Sequence, residues 1–414
     1  MRVAVVGAGV SGLVVANLLH QAHQVTVFEA NSYAGGHTHT VRVDTPNETH
    51  QVDTGFIVFN DRNYPNFERL LERLGVRSQR STMSFGVSDG RGDFEYSSAS
   101  ANGLFAKRAH ALSPWFARMI ADLARFNRVA RDLLTRRGDD VSLGDWLEDH
   151  RFSSAFIERL IVPQASAVWS ADPREMWSFP ARFLVEFFDN HGMLAFRQRP
   201  QWRVVRGGSA RYVEALIAPF SDRLRLHTPI DAVVRHPDHV LVKPRGGEPQ
   251  CFDQVVLATH SDQALALLAD ASDREHQILC AMPYQRNQAV LHTDVRMLPR
   301  RQRAWASWNY HLLDEPRAAA TLTYHMNRLQ SLHAEREFLV TLNRADEIDP
   351  AQVIRTISYA HPVYTAAGVK AQTRLKEISG QNRTHFCGAY WGWGFHEDGV
   401  VSALRVGERF GARA

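Results

Sequence analysis

The sequence has few cysteines and no long hydrophobic run. Its three cysteines lie far apart and form no CxxC pair, so they favour neither a disulfide framework nor a zinc site and fit a reducing compartment. No uninterrupted apolar stretch reaches the roughly 18 residues of a membrane-spanning helix. The apolar N-terminal stretch is interrupted by Gly7, Gly9 and Gly12, which argues against a signal peptide. We therefore expect a cytoplasmic protein.

Lysine is also scarce, whereas arginine is abundant. Only four of the 48 basic residues are lysines: Lys107, Lys243, Lys370 and Lys376. The formal charge of +4 is small for 414 residues, so the composition gives no electrostatic case for nucleic-acid binding. With 44% hydrophobic and 22% charged residues, the chain has the composition of a globular protein. Its length suggests roughly two or three domains.

A glycine-rich turn follows the first apolar segment. Residues 3–6 are predicted to form a strand and residues 13–19 a helix. Between them stands a GxGxxG pattern made of Gly7, Gly9 and Gly12. The first glycine permits a tight turn, the second lets the backbone approach a pyrophosphate, and the third allows the helix to pack closely on the strand. The free N–H groups at the helix start, with Val10 and Ser11, favour an anion, so the pattern predicts a dinucleotide site.

The predicted second strand, residues 24–28, ends at Glu29. A carboxylate at this strand end is placed to accept the ribose hydroxyls of an adenosine, and it disfavours a 2′-phosphate. Ala30 follows directly, and a glycine pair, Gly35 and Gly36, comes a few residues later. Such a pair lets backbone N–H groups lie against a cofactor without interference from a Cβ atom.

At this glycine pair the sequence resembles the flavin amine oxidase, protoporphyrinogen oxidase and phytoene desaturase superfamily. The resemblance implies FAD as the cofactor, with His37 and Thr38 beside it. Many relatives carry arginine where His37 stands, so this chain departs from the superfamily pattern there. His37 and His39 form an HxH pair, but no third ligand lies nearby, so we expect no metal site.

Two later segments carry the same resemblance. The first follows Gly207, Gly208 and Ser209 and is predicted to contain strands around residues 224–227, 230–234 and 255–259. The resemblance implies that the backbone of Val233 contacts the adenine half of the cofactor.

The second of these segments lies near the C-terminus. The resemblance implies cofactor contacts at Gly388 and Ala389, and at Gly399 and Val400, whose N–H groups begin the last helix. Relatives usually carry an acid directly after this strand, whereas Ala389 and Tyr390 stand here. Either that acid is absent or it is replaced, with Glu397 and Asp398 as the candidates.

Two other segments separate the three cofactor segments. We expect an α/β fold in which a Rossmann-like FAD-binding domain, of the glutathione-reductase type, is joined to an α+β substrate domain with an antiparallel sheet. The FAD-binding domain is predicted to comprise residues 1–59, 201–270 and 376–414. The substrate domain is predicted to comprise residues 60–200, mainly helical, and 271–375, with the antiparallel sheet.

An amphipathic helix is predicted in the first substrate segment. It starts at Pro114, with Ser113 as its N-cap, and continues to about Leu134. Apolar residues recur every three or four positions, and arginines, including Arg125 and Arg128, take the other positions. The pattern favours either a helix packed on the domain core or one that attaches to an anionic bilayer, where the arginines would serve docking.

The substrate side limits the reaction. Amine oxidases of the superfamily usually hold a water near the flavin with a mid-chain lysine, but no lysine occurs between Lys243 and Lys370. His396 and Glu397 are the nearest polar candidates for catalytic proton transfer, with a structural role as the alternative. The neighbouring turn is rich in aromatic residues, which suit an apolar substrate: Tyr390, Trp391, Trp393 and Phe395.

Two further stretches, residues 53–60 and 359–363, resemble a bacterial subfamily of FAD proteins associated with modified fatty acid metabolism. The resemblance implies an oxidoreductase that desaturates an apolar, acyl-lipid substrate and passes electrons to oxygen or a membrane acceptor. Amine oxidation stays open as an alternative, and so does a lipid-binding carrier without catalysis. We expect an apolar small molecule or lipid as the partner, with peripheral membrane contact and no nucleic acid. The oligomeric state stays open.

Overall fold

A computed structural model describes residues 1–135, 141–195, 199–315 and 317–412. Its strands are β1 (Arg2–Val6), β2 (Gln24–Phe28), β3 (Thr40–Asp44), β4 (Thr49–Asp53), β5 (Phe59–Asn60), β6 (Ser78–Arg80), β7 (Phe85–Ser88), β8 (Glu95–Ser97), β9 (Trp202–Val205), β10 (Leu224–Arg225), β11 (Ile230–Arg235), β12 (Val240–Pro244), β13 (Gln250–Phe252), β14 (Gln254–Leu257), β15 (Tyr284–His292), β16 (Trp308–His311), β17 (Leu322–His325), β18 (Leu339–Leu342), β19 (Val353–Pro362) and β20 (Thr384–Phe386). Its α-helices are α1 (Val10–Leu19), α2 (Pro65–Arg73), α3 (Ala101–Leu104), α4 (Pro114–Val129), α5 (Asp132–Thr135), α6 (Leu143–Asp149), α7 (Ser154–Phe156), α8 (Val162–Trp169), α9 (Ala181–Asn190), α10 (Ala210–Ile217), α11 (Ser261–Leu267), α12 (Asp273–Leu279), α13 (Met326–Leu329), α14 (Ala366–Gln372) and α15 (His396–Arg409). None of these helices is long and apolar enough to cross a bilayer.

Five parallel strands form the nucleotide sheet, in the order β10-β2-β1-β14-β20. Apolar residues of β1 and α1 pack with α10 and α15 on one face, and β11, β12 and β13 cover the other. The inner strands are apolar because both faces are covered. The carboxyl ends of parallel strands meet at one edge, so Gly7 after β1, Glu29 after β2 and Ala258 after β14 lie together there.

The nucleotide sheet takes strands from three distant parts of the chain. β1 and β2 come from the first predicted segment, β10 and β14 from the middle one, and β20 from the last. This arrangement agrees with the predicted α/β fold class, while the domain boundaries themselves stay a prediction.

A seven-stranded sheet lies beside the nucleotide sheet, in the order β19-β15-β18-β17-β16-β7-β8. Neighbouring strands are antiparallel except β16 and β7, which are parallel. The expected antiparallel sheet is therefore present. The sequence did not predict β7 and β8 within the mainly helical segment, because such short strands leave little periodic signal, and β16, which joins β7 to the rest of the sheet, is distant in sequence.

The predicted amphipathic helix is α4, which begins at Pro114 as predicted but ends earlier than predicted. It ends at Val129, before the separate turn of α5, rather than continuing to Leu134. Ser113 precedes the helix, but its hydroxyl donates to the Ala109 carbonyl at 2.9 Å and accepts no N–H of α4. Ser113 is the N-cap residue, as predicted, although its side chain makes no capping hydrogen bond.

The apolar face of α4 is buried in the core of the helical part, where Phe116, Met119 and Phe126 lie. Arg125 does not project freely from the other face. It donates to the carbonyls of His150 and Arg151 at 2.8 and 3.0 Å, and its guanidinium stands over the Phe152 ring. Arg125 therefore holds α4 to the segment after α6, and a role of this arginine in membrane docking stays a prediction.

Candidate cofactor site

The GxGxxG glycines have three different environments at the start of α1. Gly7 has φ +101°, a conformation that favours glycine, and a Cβ there would lie 2.8 Å from the Ala258 carbonyl oxygen. A Cβ on Gly12 would overlap the carbonyl of Gly7, so α1 and β1 pack too closely for any side chain. A Cβ on Gly9 would meet nothing within 4 Å, which leaves open space in front of the helix. The turn thus has the open cradle that a pyrophosphate requires.

Glu29 is buried at the carboxyl end of β2 and lies against this turn. Its Oε2 accepts the Ala8 N–H at 2.8 Å, and its Oε1 accepts the backbone and side-chain N–H groups of Asn31 at 2.9 and 2.7 Å. A carboxylate has about four lone-pair sites, so acceptor capacity remains for ribose hydroxyls. Ala30, by contrast, is exposed.

The second glycine pair packs on the first motif. The Gly35 N–H donates to the Ala8 carbonyl at 2.7 Å, and a Cβ on Gly36 would lie 3.2 Å from the Gly9 Cα. The two motifs thus form one surface. Thr38 lies behind it, where its hydroxyl bonds to the Tyr212 hydroxyl.

The N-termini of α1 and α15 meet at the same place. The Ser11 hydroxyl donates to the Gly399 carbonyl at 3.0 Å, and a Cβ on Gly399 would lie 2.8 Å from Val10 Cγ1. The first-turn N–H groups of Val10, Ser11 and Gly12 have no partner within α1, because the first intrahelical bond starts at Leu13. Two helix N-termini side by side give this crevice a positive potential.

One predicted contact at α15 needs correction. The Gly399 N–H donates to the Phe395 carbonyl at 3.1 Å, and Val400 lies further inside the helix, so these N–H groups are not free for a flavin. Gly399 instead lets α15 approach α1. Ala389 stands close by, and the Gly388 N–H donates to the Ser402 hydroxyl at 3.1 Å.

Val233 lies in β11 and is fully buried. Its carbonyl accepts the Ala269 N–H at 3.1 Å, so this group already has a protein partner. The adenine contact expected of Val233 stays a prediction.

The structure gives both predicted catalytic residues protein partners. The His396 Nε2 bonds to the hydroxyls of Thr38 and Tyr212 at 2.9 and 2.8 Å, and its ring stacks on Phe56. Burial lowers the pKa of His396 well below its usual value, with a smaller contribution from His37.

Glu397 caps the N-terminus of α2, where its two oxygens accept the N–H groups of Asn66 and Phe67 at 3.1 and 2.9 Å. Asp398 accepts the Phe395 N–H at 3.0 Å, and burial raises its pKa to about 6. Structural roles explain these contacts. Catalysis by His396 or Glu397, and replacement of the missing acid by Glu397 or Asp398, stay predictions.

Three histidines that the sequence did not group together lie close to one another. The ring of His37 lies 5.2 Å from that of His361 and 6.1 Å from that of His260, and it stacks on Tyr359. Burial lowers the pKa of His37 and His260 to about 4 and that of His361 to about 3. All three imidazoles are therefore neutral at pH 7. Among the described residues no group of three potential ligands is arranged for a metal ion.

The proton of His361 can be assigned from its neighbours. The Gln288 N–H donates to Asn343 Oδ1 at 2.9 Å, which fixes the orientation of that amide. Asn343 Nδ2 then donates to Asn287 Oδ1 at 2.7 Å, so Asn287 Nδ2 faces His361 Nδ1 at 2.8 Å. Nδ1 of the neutral ring accepts this bond, and Nε2 carries the proton. In His37 the proton lies on the other ring nitrogen. The ring bonds to the Ala360 backbone, and its buried Nε2 has no hydrogen-bond partner among the described residues.

A cluster of aromatic side chains adjoins the C-terminal turn. Trp169 Nε1 donates to the Trp393 carbonyl at 3.0 Å, and Phe187 stacks on Phe395 with 5.0 Å between ring centroids. Tyr364 stacks on Phe183 at 4.9 Å, and its buried hydroxyl has no hydrogen-bond partner among the described residues. These residues belong to or pack on the core cluster that also contains the buried face of α4.

A family model described as flavin containing amine oxidoreductase matches residues 10–295, which is more than half of the chain. The chain belongs to the flavin-containing amine oxidoreductase family. The resemblance stated from the sequence is thereby confirmed, and FAD is the cofactor. The open cradle at Gly9, the paired helix N-termini and the Glu29 carboxylate fit its pyrophosphate and ribose.

Curated relatives match only part of the chain. A protein described as a zeta-carotene desaturase, from Synechococcus elongatus, is 26% identical over 238 residues, which cover 53% of this chain and 48% of that protein. The chain spans about half the length of the curated relatives it matches.

Two solved structures share the fold over nearly the whole chain. Cyclohexylamine oxidase from Brevibacterium oxydans has a TM-score of 0.68 at 16% identity and covers 99% of each chain. A fatty acid isomerase from P. acnes that produces CLA has a TM-score of 0.69 at 15% identity and covers 99% of this chain and 98% of that one. At these identities the likeness shows the fold alone.

Proposed function

We propose that the protein is an FAD-dependent oxidoreductase that removes two hydrogens from a carbon–carbon bond of an apolar, acyl-lipid substrate. The observation that carries the proposal is an interior beside the cofactor crevice that contains neutral imidazoles and aromatic rings. Bound FAD supplies the two-electron acceptor for such a reaction. The protein's own residues bind the chain, exclude water and orient it.

The positions of the lysines support a substrate other than an amine. Lys107 pairs with Asp93 at 3.3 Å, and the other three lysines are exposed on the surface. Lys376 lines a polar surface pocket with Arg274 and Glu275. None of the four belongs to the aromatic cluster, so the lysine that amine oxidases of the superfamily usually carry beside the flavin has no counterpart among them.

The polar groups of the crevice also suit an uncharged substrate. His37, His260 and His361 are neutral at pH 7. Asp53 begins one of the subfamily-like stretches. Its buried carboxylate already accepts hydrogen bonds from the side chains of Ser209, Thr40 and Gln330. These imidazoles offer a cationic amine no opposite charge, and burying an unpaired charge is costly.

Two of the similar proteins are named for apolar compounds, a carotene and a fatty acid, which agrees with this substrate class. Amine oxidation is the second candidate, because cyclohexylamine oxidase shares the fold over nearly the whole chain. A carrier without catalysis fits less well, since the glycine cradle and Glu29 are intact. We also propose that the protein binds peripherally to the membrane that contains its lipid substrate.

Anaerobic reduction of the purified holoenzyme tests the proposal. The flavin absorbance should bleach when an acyl-lipid extract is added and should stay unchanged with primary amines or polyamines. Bleaching by amines and by no lipid fraction would replace lipid dehydrogenation with amine oxidation. A protein that binds FAD but is reduced by neither class would contradict both.

A further inference from the structure

An exposed apolar tip lies at the start of α4. Leu112 is 90% exposed, and Trp115, one turn further along, is 38% exposed. Ala109, Ala111 and Pro114 between and beside them are exposed as well. A leucine so fully in water has no packing partner among the described residues, and its exposure beside a tryptophan marks a contact surface.

Positive charge surrounds this tip. Residues 107–131 contain six basic residues and one acidic residue, Asp122, which is only 2% exposed. The formal charge of the segment is +5, against +4 for the whole chain, but Lys107 pairs with Asp93 and Arg131 with Asp189, both outside the segment. Arg108 is exposed, the Arg118 side chain is 58% exposed, and the Arg159 guanidinium stands over the Trp115 ring at 4.9 Å.

The tip is continuous with the interior. Phe116 and Met119, which follow Trp115 on α4, belong to the same buried cluster as Trp169, Phe187 and Tyr364. The exposed tip thus adjoins the apolar core to which the aromatic cluster belongs.

We propose that residues 108–118, the docking surface, bind an anionic lipid bilayer. Tryptophan and leucine enter the interfacial region of a membrane, and exposed arginines are attracted to anionic headgroups. A second copy of the chain fits less well, because a two-fold contact would place the same arginines against one another. The surface needs neither catalysis nor substrate, so it extends the proposed function without depending on its chemistry.

Vesicle flotation tests the docking surface. Holoenzyme should float with vesicles of saturated phosphatidylcholine and phosphatidylglycerol and not with phosphatidylcholine alone. Leu112→Glu should weaken binding about tenfold, and Arg108→Gln about fivefold, because each removes an apolar or an electrostatic contact. Val295→Glu is the matched control, since Val295 is a 46% exposed apolar residue outside the surface. It should bind like the wild type.

Brominated lipids give a second readout. They should quench the fluorescence of the wild type, and Trp115→Phe should lose most of that quenching. The proposal would be overturned if the wild-type protein did not bind anionic vesicles. It would also be overturned if the Leu112→Glu variant floated with them as the wild type does. A Leu112→Glu variant that turns a dimer into monomers in sedimentation would assign the surface to self-association instead.

The two proposals fail separately. Saturated vesicles measure docking without any turnover, and flavin bleaching by detergent-dispersed lipid measures oxidation without a bilayer. Vesicle binding without flavin bleaching by any lipid would contradict the proposed substrate and still support the docking surface.

Discussion

Glu29 links the cofactor to the glycine turn, because its carboxylate accepts the Ala8 N–H at 2.8 Å. Glu29→Ala should weaken FAD binding by roughly 1.5–3 kcal/mol, the range for hydrogen bonds to a charged group. Fluorescence titration of the apoprotein with FAD measures the loss. Glu248→Ala, at an exposed position far along the chain, is the control. Unchanged FAD affinity in a folded Glu29→Ala variant would show that Glu29 is not the ribose acceptor.

Tyr364 carries a buried hydroxyl that has no hydrogen-bond partner in the described part of the chain, and burial raises the pKa of this phenol well above its usual value. Tyr364→Phe removes an unsatisfied group, so the free energy of unfolding should stay the same or rise by about 1 kcal/mol. If the hydroxyl donates to a polar group of the substrate, the lipid concentration for half-maximal flavin reduction should rise. Urea unfolding and anaerobic titration measure the two effects.

Tyr96→Phe provides the comparison, because the Tyr96 hydroxyl has a protein partner, the Arg159 carbonyl at 3.2 Å. That variant should lose stability and keep its lipid dependence. A Tyr364→Phe variant that loses stability instead would mean that the hydroxyl has a structural partner.

Among the elements, α15 and α1 meet where the cofactor cradle lies. Gly399→Ala would place a Cβ 2.8 Å from Val10 Cγ1 and 3.0 Å from Ser11 Oγ, so the helices must move apart. We expect a loss of about 1–3 kcal/mol in unfolding free energy, as for overpacking, together with weaker FAD binding. Thermal unfolding and FAD titration measure both.

Gly407→Ala, on the same helix, is the matched control. Its Cβ would lie 3.0 Å from the flexible Leu18 Cδ1, away from the glycine turn. That variant should keep its FAD affinity. Equal FAD affinity in both variants would show that the contact of Gly399 with α1 does not shape the cradle.

The elements also show what the sequence could and could not predict. β2 was predicted with the bounds that the structure has, and the GxGxxG turn was placed correctly, because local periodicity and glycine geometry determine both. β7 and β8 were not predicted, because both strands are short and β16, the strand that joins β7 to the sheet, is distant in sequence. The proximity of His37, His260 and His361 was not predicted either, because it depends on how β19 packs beside the nucleotide sheet.

At the scale of the molecule, the nucleotide sheet brings distant segments to one crevice, and the helical part joins that crevice to the docking surface through one apolar core. This organisation suits a substrate that is drawn from a membrane and oxidised in a dry interior. The family membership fixes the cofactor, whereas the surroundings of the crevice argue for the substrate class.

Mass spectrometry of the product tests the central claim most directly. Holoenzyme incubated with acyl lipids and an electron acceptor should yield lipids that have lost two hydrogen atoms, with a new carbon–carbon double bond. Apoprotein without FAD should yield none. Unchanged lipids, together with conversion of a primary amine to its aldehyde and ammonia, would contradict the account and assign the protein to amine oxidation.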